Sequence, residues 1–93
     1  PQTTENITVL RKKIDEIDET LLTILAKRMG ISREIGVYKK EHNMPILQSG
    51  RYSDILENRA KQGESLGLSA AFVQEIMKSI HEESVKVQMD IMK

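Results

Sequence analysis

The stretch that decides the fold runs from Thr4 to His42 and reads TENITVLRKKIDEIDETLLTILAKRMGISREIGVYKKEH. Its apolar residues recur at steps of three and four, which is the spacing of one face of an α-helix. The members of this apolar stripe are Ile7, Leu10, Ile14, Ile17, Leu21, Ile24, Ile31 and Ile35. Thr4 is a suitable N-cap, and Asn43 and Pro45 supply a stop signal because proline disfavours helical geometry in the residue before it. The pattern predicts one uninterrupted helix.

The length of this helix bears on how the chain buries its apolar surface. About 38 residues at 1.5 Å each make a rod of roughly 57 Å, whereas a compact chain of this size has a radius of gyration of about 12 Å. Because the stripe stays apolar almost throughout, a second copy lying alongside is the simplest way to cover it. A coiled-coil stalk is the alternative, but two further amphipathic segments favour a compact bundle.

Two shorter helices are predicted after the first. The second runs from about Ser49, which can cap it, to Gln62, with Gly63 and Gly67 ending it. The third runs from about Ser69 to Met92. Its stripe consists of Val73, Met77, Ile80, Ser84, Val87 and Ile91. Without strand alternation, internal repeats or a linker, the sequence predicts one all-α domain over residues 1–93, with three helices per chain, a very long first helix and an intertwined homodimer.

The composition excludes several classes of protein. The 14 basic and 14 acidic residues cancel, and two tyrosines and one phenylalanine offer little for base stacking, so we expect no nucleic-acid partner. No apolar run approaches the ~18 residues of a membrane span, and no signal-peptide pattern opens the chain. There is no cysteine, and two isolated histidines do not make a metal site. We therefore expect no metal and no cofactor.

Two polar residues occupy places where the stripes call for apolar ones. Arg28 interrupts the stripe of the first helix and Ser84 that of the third. Gln88 lies one turn beyond Ser84 on the same face. Lys39 lies three turns beyond Arg28, about 16 Å along the helix, so both long side chains can converge on one small ligand. A charge in an apolar seam is costly unless it is paired or binds something.

The neighbourhood of Arg28 is strongly basic. Residues 27–40 include five basic residues and a single acidic one, Glu34, and Arg51 follows nearby in the sequence. Since the planar guanidinium can bind both oxygens of a carboxylate, this pattern favours a pocket for a small polyanion. The alternative is that Arg28 pairs with a buried acid such as Asp18 or Glu83.

Other polar residues have simpler interpretations. Ser84 taken alone is more often a core serine, and Gln88 taken alone is more often exposed. His81 is interpreted as a helix-surface residue. Gly30 and Gly36 predict close approach of another helix, because glycine inside a helix costs about 0.8–1 kcal/mol.

The combined spacing resembles the type II (AroQ, all-helical) chorismate mutases, from about Asn6 to the C-terminus. The matching segments are LRKKIDEID (10–18) with Leu21 and Leu22, LAKRM (25–29), IGVYK (35–39), Pro45-Ile46, Arg51 and SVKVQ (84–88). The resemblance implies a cytoplasmic enzyme of aromatic amino acid biosynthesis in the shikimate pathway. It would convert chorismate to prephenate, work as a homodimer with sites shared between protomers, and need no nucleophile or general base.

The resemblance also implies residue roles. Arg28 would bind a substrate carboxylate with help from Ser84, while Lys39 and Gln88 would bind the ether oxygen. Arg11 would reach a carboxylate from the other protomer, and Arg51 would line the same pocket. Two positions depart from the family, because Gln48 and Tyr52 stand where many members have acidic residues. The glutamate at the latter position usually meets the ring hydroxyl.

Three other functions fit the same residues less fully. Isochorismate pyruvate lyase resembles the chorismate mutase family in its fold and uses similar cationic side chains. A weakly active regulatory domain of a fused 3-deoxy-arabino-heptulosonate 7-phosphate synthase is a second alternative, and a fused or associated synthase is a possible partner. A plain helical interaction module is the third, and Arg11, Arg28, Lys39 and Gln88 argue against it.

Overall fold

The structure, a computed structural model, describes residues 6–93 and is helical over that range apart from short connections. It contains three helices: α1 (Ile7–Glu41), α2 (Ser49–Ser65) and α3 (Ala70–Met92). The predicted all-α class, the order of the helices and the great length of the first one are confirmed.

The start of α1 is fixed by an asparagine. The side-chain oxygen of Asn6 accepts a hydrogen bond from the backbone N–H of Val9 at 3.0 Å. This satisfies one of the N–H groups that the first helical turn leaves unpaired. Asn6 is therefore the N-cap, and the predicted cap, Thr4, lies outside the described residues.

The end of α1 follows the prediction. Asn43 adopts a left-handed conformation with a φ of 53°, which asparagine tolerates better than most residues. The backbone N–H of Met44 then bonds back to the carbonyl oxygen of Lys39 at 2.8 Å. This six-to-one hydrogen bond stops the helix at Glu41 and turns the chain towards α2.

Both predicted ends of α2 need correction. Ser49 is the first helical residue rather than the cap, and Gln48 stands at the N-cap position without a side-chain hydrogen bond. At the other end, the helix continues through Gly63 to Ser65. The chain turns at Gly67, whose φ is +87°, and the N–H of the next residue bonds to the carbonyl oxygen of Gly63 at 2.8 Å.

Gly63 is present for packing rather than for ending a helix. It is buried, and a Cβ atom placed on it would overlap Cγ2 of Val73. Gly36 has a similar function between α1 and α3, since a Cβ there would lie 3.3 Å from Cα of Gln88. The predicted close approach is thus confirmed at Gly36. Gly30 has no such neighbour within the described chain.

The third helix joins the fold together. It begins at Ala70, next to the predicted start, and the hydroxyl of Ser69 caps it by accepting a hydrogen bond from the N–H of Phe72. It contacts both α1 and α2. Its inward face contributes Val73, Ser84, Val87 and Gln88 to the small buried interior. Gln88 is 7% exposed, so the simpler expectation of a surface glutamine is wrong.

The first half of α1 extends beyond this core. The chain measures 63 × 24 × 14 Å with a radius of gyration of 17.5 Å, against about 12 Å for a compact chain of this length. Ile17, Leu21 and Ile24 are 61%, 52% and 56% exposed. The apolar stripe over this half of the helix is therefore left uncovered by the chain itself.

Candidate active site

The three helices and the α1–α2 connection line an open cavity of about 520 Å³, within the range typical of small-molecule sites. Its lining consists of Arg28, Ile31, Ser32, Ile35, Tyr38, Lys39, Met44, Gln48, Arg51, Tyr52, Ile55, Arg59, Met77, His81, Ser84, Val85 and Gln88. Every predicted site residue except Arg11 belongs to this set. Arg11 lies on the exposed half of α1, about 26 Å along the helix from Arg28.

One end of the cavity is organised around a buried serine. Arg28 donates from its Nη1 to Oγ of Ser84 at 2.9 Å, and Ser32 donates to the same oxygen at 3.0 Å. A hydroxyl has two acceptor lone pairs, so both are in use, and its own proton points to Sδ of Met29 at 3.7 Å. Because a thioether is a weak acceptor, this hydroxyl could donate to a carboxylate instead. Ser84 thus belongs to an inter-helix polar network.

This network removes one alternative for Arg28. Within residues 6–93 no ion pair to Arg28 is found, and neither Asp18 nor Glu83 forms a hydrogen bond with it. Burial lowers the pKa of Arg28 first, and the positive charges of Arg59 and Arg51 lower it further. The guanidinium stays protonated, because arginine is always charged in proteins. It remains in the seam as a cation facing the cavity.

The other end of the cavity contains a lysine held by two acceptors. Nζ of Lys39 donates to the carbonyl oxygen of Ile46 at 2.7 Å and to Oε1 of Gln88 at 2.9 Å. An ammonium carries three donors, so one is left over. Since lysine cannot accept a hydrogen bond, the Gln88 oxygen must face it and the amide N–H groups must point elsewhere. Burial lowers the pKa of Lys39 from its ordinary value.

An aromatic stack forms one wall of the cavity. The rings of Tyr52 on α2 and His81 on α3 lie 3.9 Å apart between centroids, at 20° to one another. His81 is therefore part of the cavity, and its interpretation as a surface residue is wrong. Burial lowers the pKa of His81, and Arg28 and Lys39 lower it further against the opposing effect of Glu82. The imidazole is thus neutral near pH 7.

The electrostatic character of the site is one-sided. Four basic side chains line it, namely Arg28, Lys39, Arg51 and Arg59, and no aspartate or glutamate is among the lining residues. Like charges at close range raise one another's energy unless an anion lies between them. The arrangement is suited to a small polyanion. Among the described residues no group of three His, Asp or Glu side chains could hold a metal ion.

Sequence reasoning gave no site role to four polar residues of the cavity: Tyr38 adjoins Lys39 in the chain, and the other three are Ser32, Arg59 and His81. Each of these three stands at a helical interval from a residue that was found: Ser32 four after Arg28, Arg59 seven after Tyr52, and His81 three before Ser84. Spacing from known site residues was the available signal.

None of the helices within residues 6–93 is long and apolar enough to cross a membrane.

Comparison with known proteins gives a consistent result. A family profile described as chorismate mutase type II matches residues 10–89. The T-protein of Enterobacter agglomerans is 32% identical over 84 residues, which cover 90% of this chain and 22% of that protein. The bifunctional chorismate mutase/prephenate dehydratase of Escherichia coli K12 is 33% identical over 91 residues, which cover 97% of this chain and 24% of that protein.

A third relative is shorter. The 4-amino-4-deoxychorismate mutase of Streptomyces venezuelae is 30% identical over 79 residues, covering 85% of this chain and 77% of that protein. The chain thus spans about a quarter or less of the bifunctional enzyme and the T-protein, but most of this one. Since the family profile extends across all three helices and covers every residue that lines the cavity, the chain belongs to the chorismate mutase type II family.

Proposed function

We propose that this chain converts chorismate to prephenate. The observation that carries the proposal is the cavity with four cations and no acid, in a member of this family. Chorismate is a dicarboxylate, and its rearrangement breaks the ether C–O bond while a new C–C bond forms within the same molecule. Nothing leaves and no proton is transferred, so the site needs no nucleophile or general base.

The protein's contribution is to hold the chair-like conformer and to stabilise negative charge that develops on the ether oxygen. The Lys39–Gln88 pair suits the second task. Lys39 retains one N–H beyond its two hydrogen bonds, and Gln88 has its amide N–H groups directed away from Lys39. At the other end, Arg28 and the hydroxyl of Ser84 suit a carboxylate. Gln48 and Arg51 complete the substrate contacts.

The ring substituent of the substrate is a hydroxyl rather than an ammonium under this proposal. The observation in favour is the neutral pair Tyr52–His81, in a cavity whose lining contains no carboxylate. An ammonium would add a fifth positive charge without an acidic partner, whereas a hydroxyl can bond to neutral groups. We therefore expect faster turnover of chorismate than of 4-amino-4-deoxychorismate.

The functional unit is proposed to be a homodimer with shared sites. The uncovered apolar stripe of α1 supports this, because a second copy would remove it from water. Arg11 lies on that half of the helix, outside its own chain's cavity. In a dimer it would contribute to the partner's site as a further carboxylate ligand.

The test is an assay of chorismate disappearance, with the product identified by NMR. We expect prephenate. Release of pyruvate would instead indicate a lyase, and absence of any conversion by the folded dimeric chain would contradict the proposal. Arg28→Ala and Lys39→Ala should each lower activity by at least ~100-fold, the scale of losing one preorganised charge-stabilising donor. Near-normal turnover in both variants would mean that the cavity is not the site.

A further inference from the structure

Arg59 is a cation of the cavity to which neither the family resemblance nor the proposed mechanism gives a role. It lies on α2, two turns after Tyr52, and is half-buried in the lining. Its recorded hydrogen bond within the described chain is from Nη1 to Oε1 of Gln62 at 3.5 Å, a long contact to a neutral group on the same helix. No acid of the described residues pairs with it.

Arg59 belongs to the Arg28 end of the cavity. The pKa of Arg28 is lowered first by burial and then by the positive charges of Arg59 and Arg51, whereas the pKa of Lys39 is lowered by burial alone. Two guanidinium groups from different helices thus face one cavity with no acid between them. Such a pair is unfavourable when empty and becomes favourable when a carboxylate lies between the two cations.

The hydrogen-bond donors that Arg28 and Arg59 have left over also favour a carboxylate between the two side chains. Arg28 donates one Nη1–H to Oγ of Ser84, and its other N–H groups remain available to a ligand. Arg59 has nearly its whole guanidinium available. A carboxylate accepts several hydrogen bonds, so it can be shared between two arginines and the Ser84 hydroxyl. Building on the proposed function, we infer that Arg59 is a carboxylate-binding residue that pairs with Arg28 around the substrate carboxylate lying against Ser84.

The experiment compares Arg59→Gln and Arg59→Met with the parent chain. The first keeps polarity and the second keeps an apolar stem, so at least one should retain the fold as judged by circular dichroism. Kinetics on chorismate give KM and kcat, and calorimetric titration with prephenate gives affinity independently of turnover. We expect KM and the prephenate Kd to rise about 10- to 100-fold, the range for losing a hydrogen bond between charged groups, while kcat changes less.

Lys61→Gln is the matched control. Lys61 is an exposed cation two residues further along α2, paired with Glu57 and outside the cavity. Its removal should leave both constants unchanged. If a folded Arg59 variant keeps the parent's KM and prephenate affinity, or loses no more than Lys61→Gln, the inference is wrong.

The experiment distinguishes a failure of the inference about Arg59 from a failure of the proposed function. A parent chain that binds prephenate without converting chorismate contradicts the proposed reaction and still tests Arg59 by affinity. A folded parent chain that binds neither compound overturns both.

Discussion

The orientation of one amide defines the chemistry that can occur beside Lys39. Because the Gln88 oxygen faces Lys39 at 2.9 Å, the amide N–H groups are left for the substrate. Replacing Gln88 with glutamate keeps the shape but makes donation depend on protonation. We expect Gln88→Glu to retain activity at acidic pH and to lose it as pH rises and the carboxyl ionises, a process that the neighbouring ammonium favours.

The measurement is kcat/KM for chorismate as a function of pH, for the parent and for the variant. The parent should vary little over the interval in which the variant declines, since an amide donates at any ordinary pH. A variant profile that follows the parent would mean that residue 88 does not donate to the reacting ether oxygen.

His81 predicts a pH effect on stability. Its pKa is lowered in the folded chain by burial and by the charges of Arg28 and Lys39. In the window just below the ordinary value of about 6.5, the unfolded chain therefore binds more protons than the folded one. The free energy of unfolding should be fully retained above that value and should fall as pH decreases towards the folded-state pKa.

Urea unfolding at fixed protein concentration, between pH 7 and about pH 5.5, gives the slope of this decrease. His81→Gln replaces the imidazole with a neutral amide and should flatten the slope relative to the parent. An identical slope in the two proteins would mean that His81 does not titrate differently on folding.

At the scale of helices, the contact between α2 and α3 depends on Gly63. A methyl group added there would overlap the Val73 side chain, so either that β-branched side chain or one of the two helices must shift. We expect Gly63→Ala to destabilise the fold by about 1–3 kcal/mol, the usual cost of overpacking. Gly50→Ala in the same helix is the control, because nothing lies within 4 Å of that position.

Alanine is the better helix former, so Gly50→Ala should be neutral or stabilising by up to about 1 kcal/mol. Urea unfolding of both variants measures the difference. Equal stabilities would mean that Val73 moves aside without cost and that the close approach contributes nothing.

The same glycine illustrates what the sequence could and could not predict. Periodicity located all three helices, because a buried face must repeat with the turn of the helix. It misplaced the end of α2, since a glycine that permits close packing looks the same in sequence as one that ends a helix. The cavity was predicted from polar residues inside the stripes. His81 and Arg59 were not, because their inclusion depends on how α2 and α3 pack against each other.

At the scale of the molecule, the exposed half of α1 predicts a dimer. Ile17 lies in the middle of the uncovered stripe, and its side chain is left exposed by the rest of its own chain. Ile17→Glu should leave the single chain folded but oppose association, because a dimer would bury an unpaired charge. Sedimentation should give two chains per particle for the parent and one for the variant. Lys12→Glu, about 140° away around the helix, should remain dimeric, and a monomeric parent would contradict the proposal.

A dimer could form without sharing its sites, and complementation between variants separates the two cases. Arg11→Ala and Arg28→Ala should each be nearly inactive alone, since each removes a cation from every site. If Arg11 acts in the partner's cavity, a mixed dimer has one site lacking both cations and one site lacking neither. Random exchange of equal amounts makes half of the dimers mixed, so the mixture should recover about a quarter of the parent's activity. If Arg11 acts within its own chain, every site retains a defect and mixing restores nothing. Recovery that stays at the level of the separate variants after complete subunit exchange would therefore contradict the shared site while leaving the dimer intact.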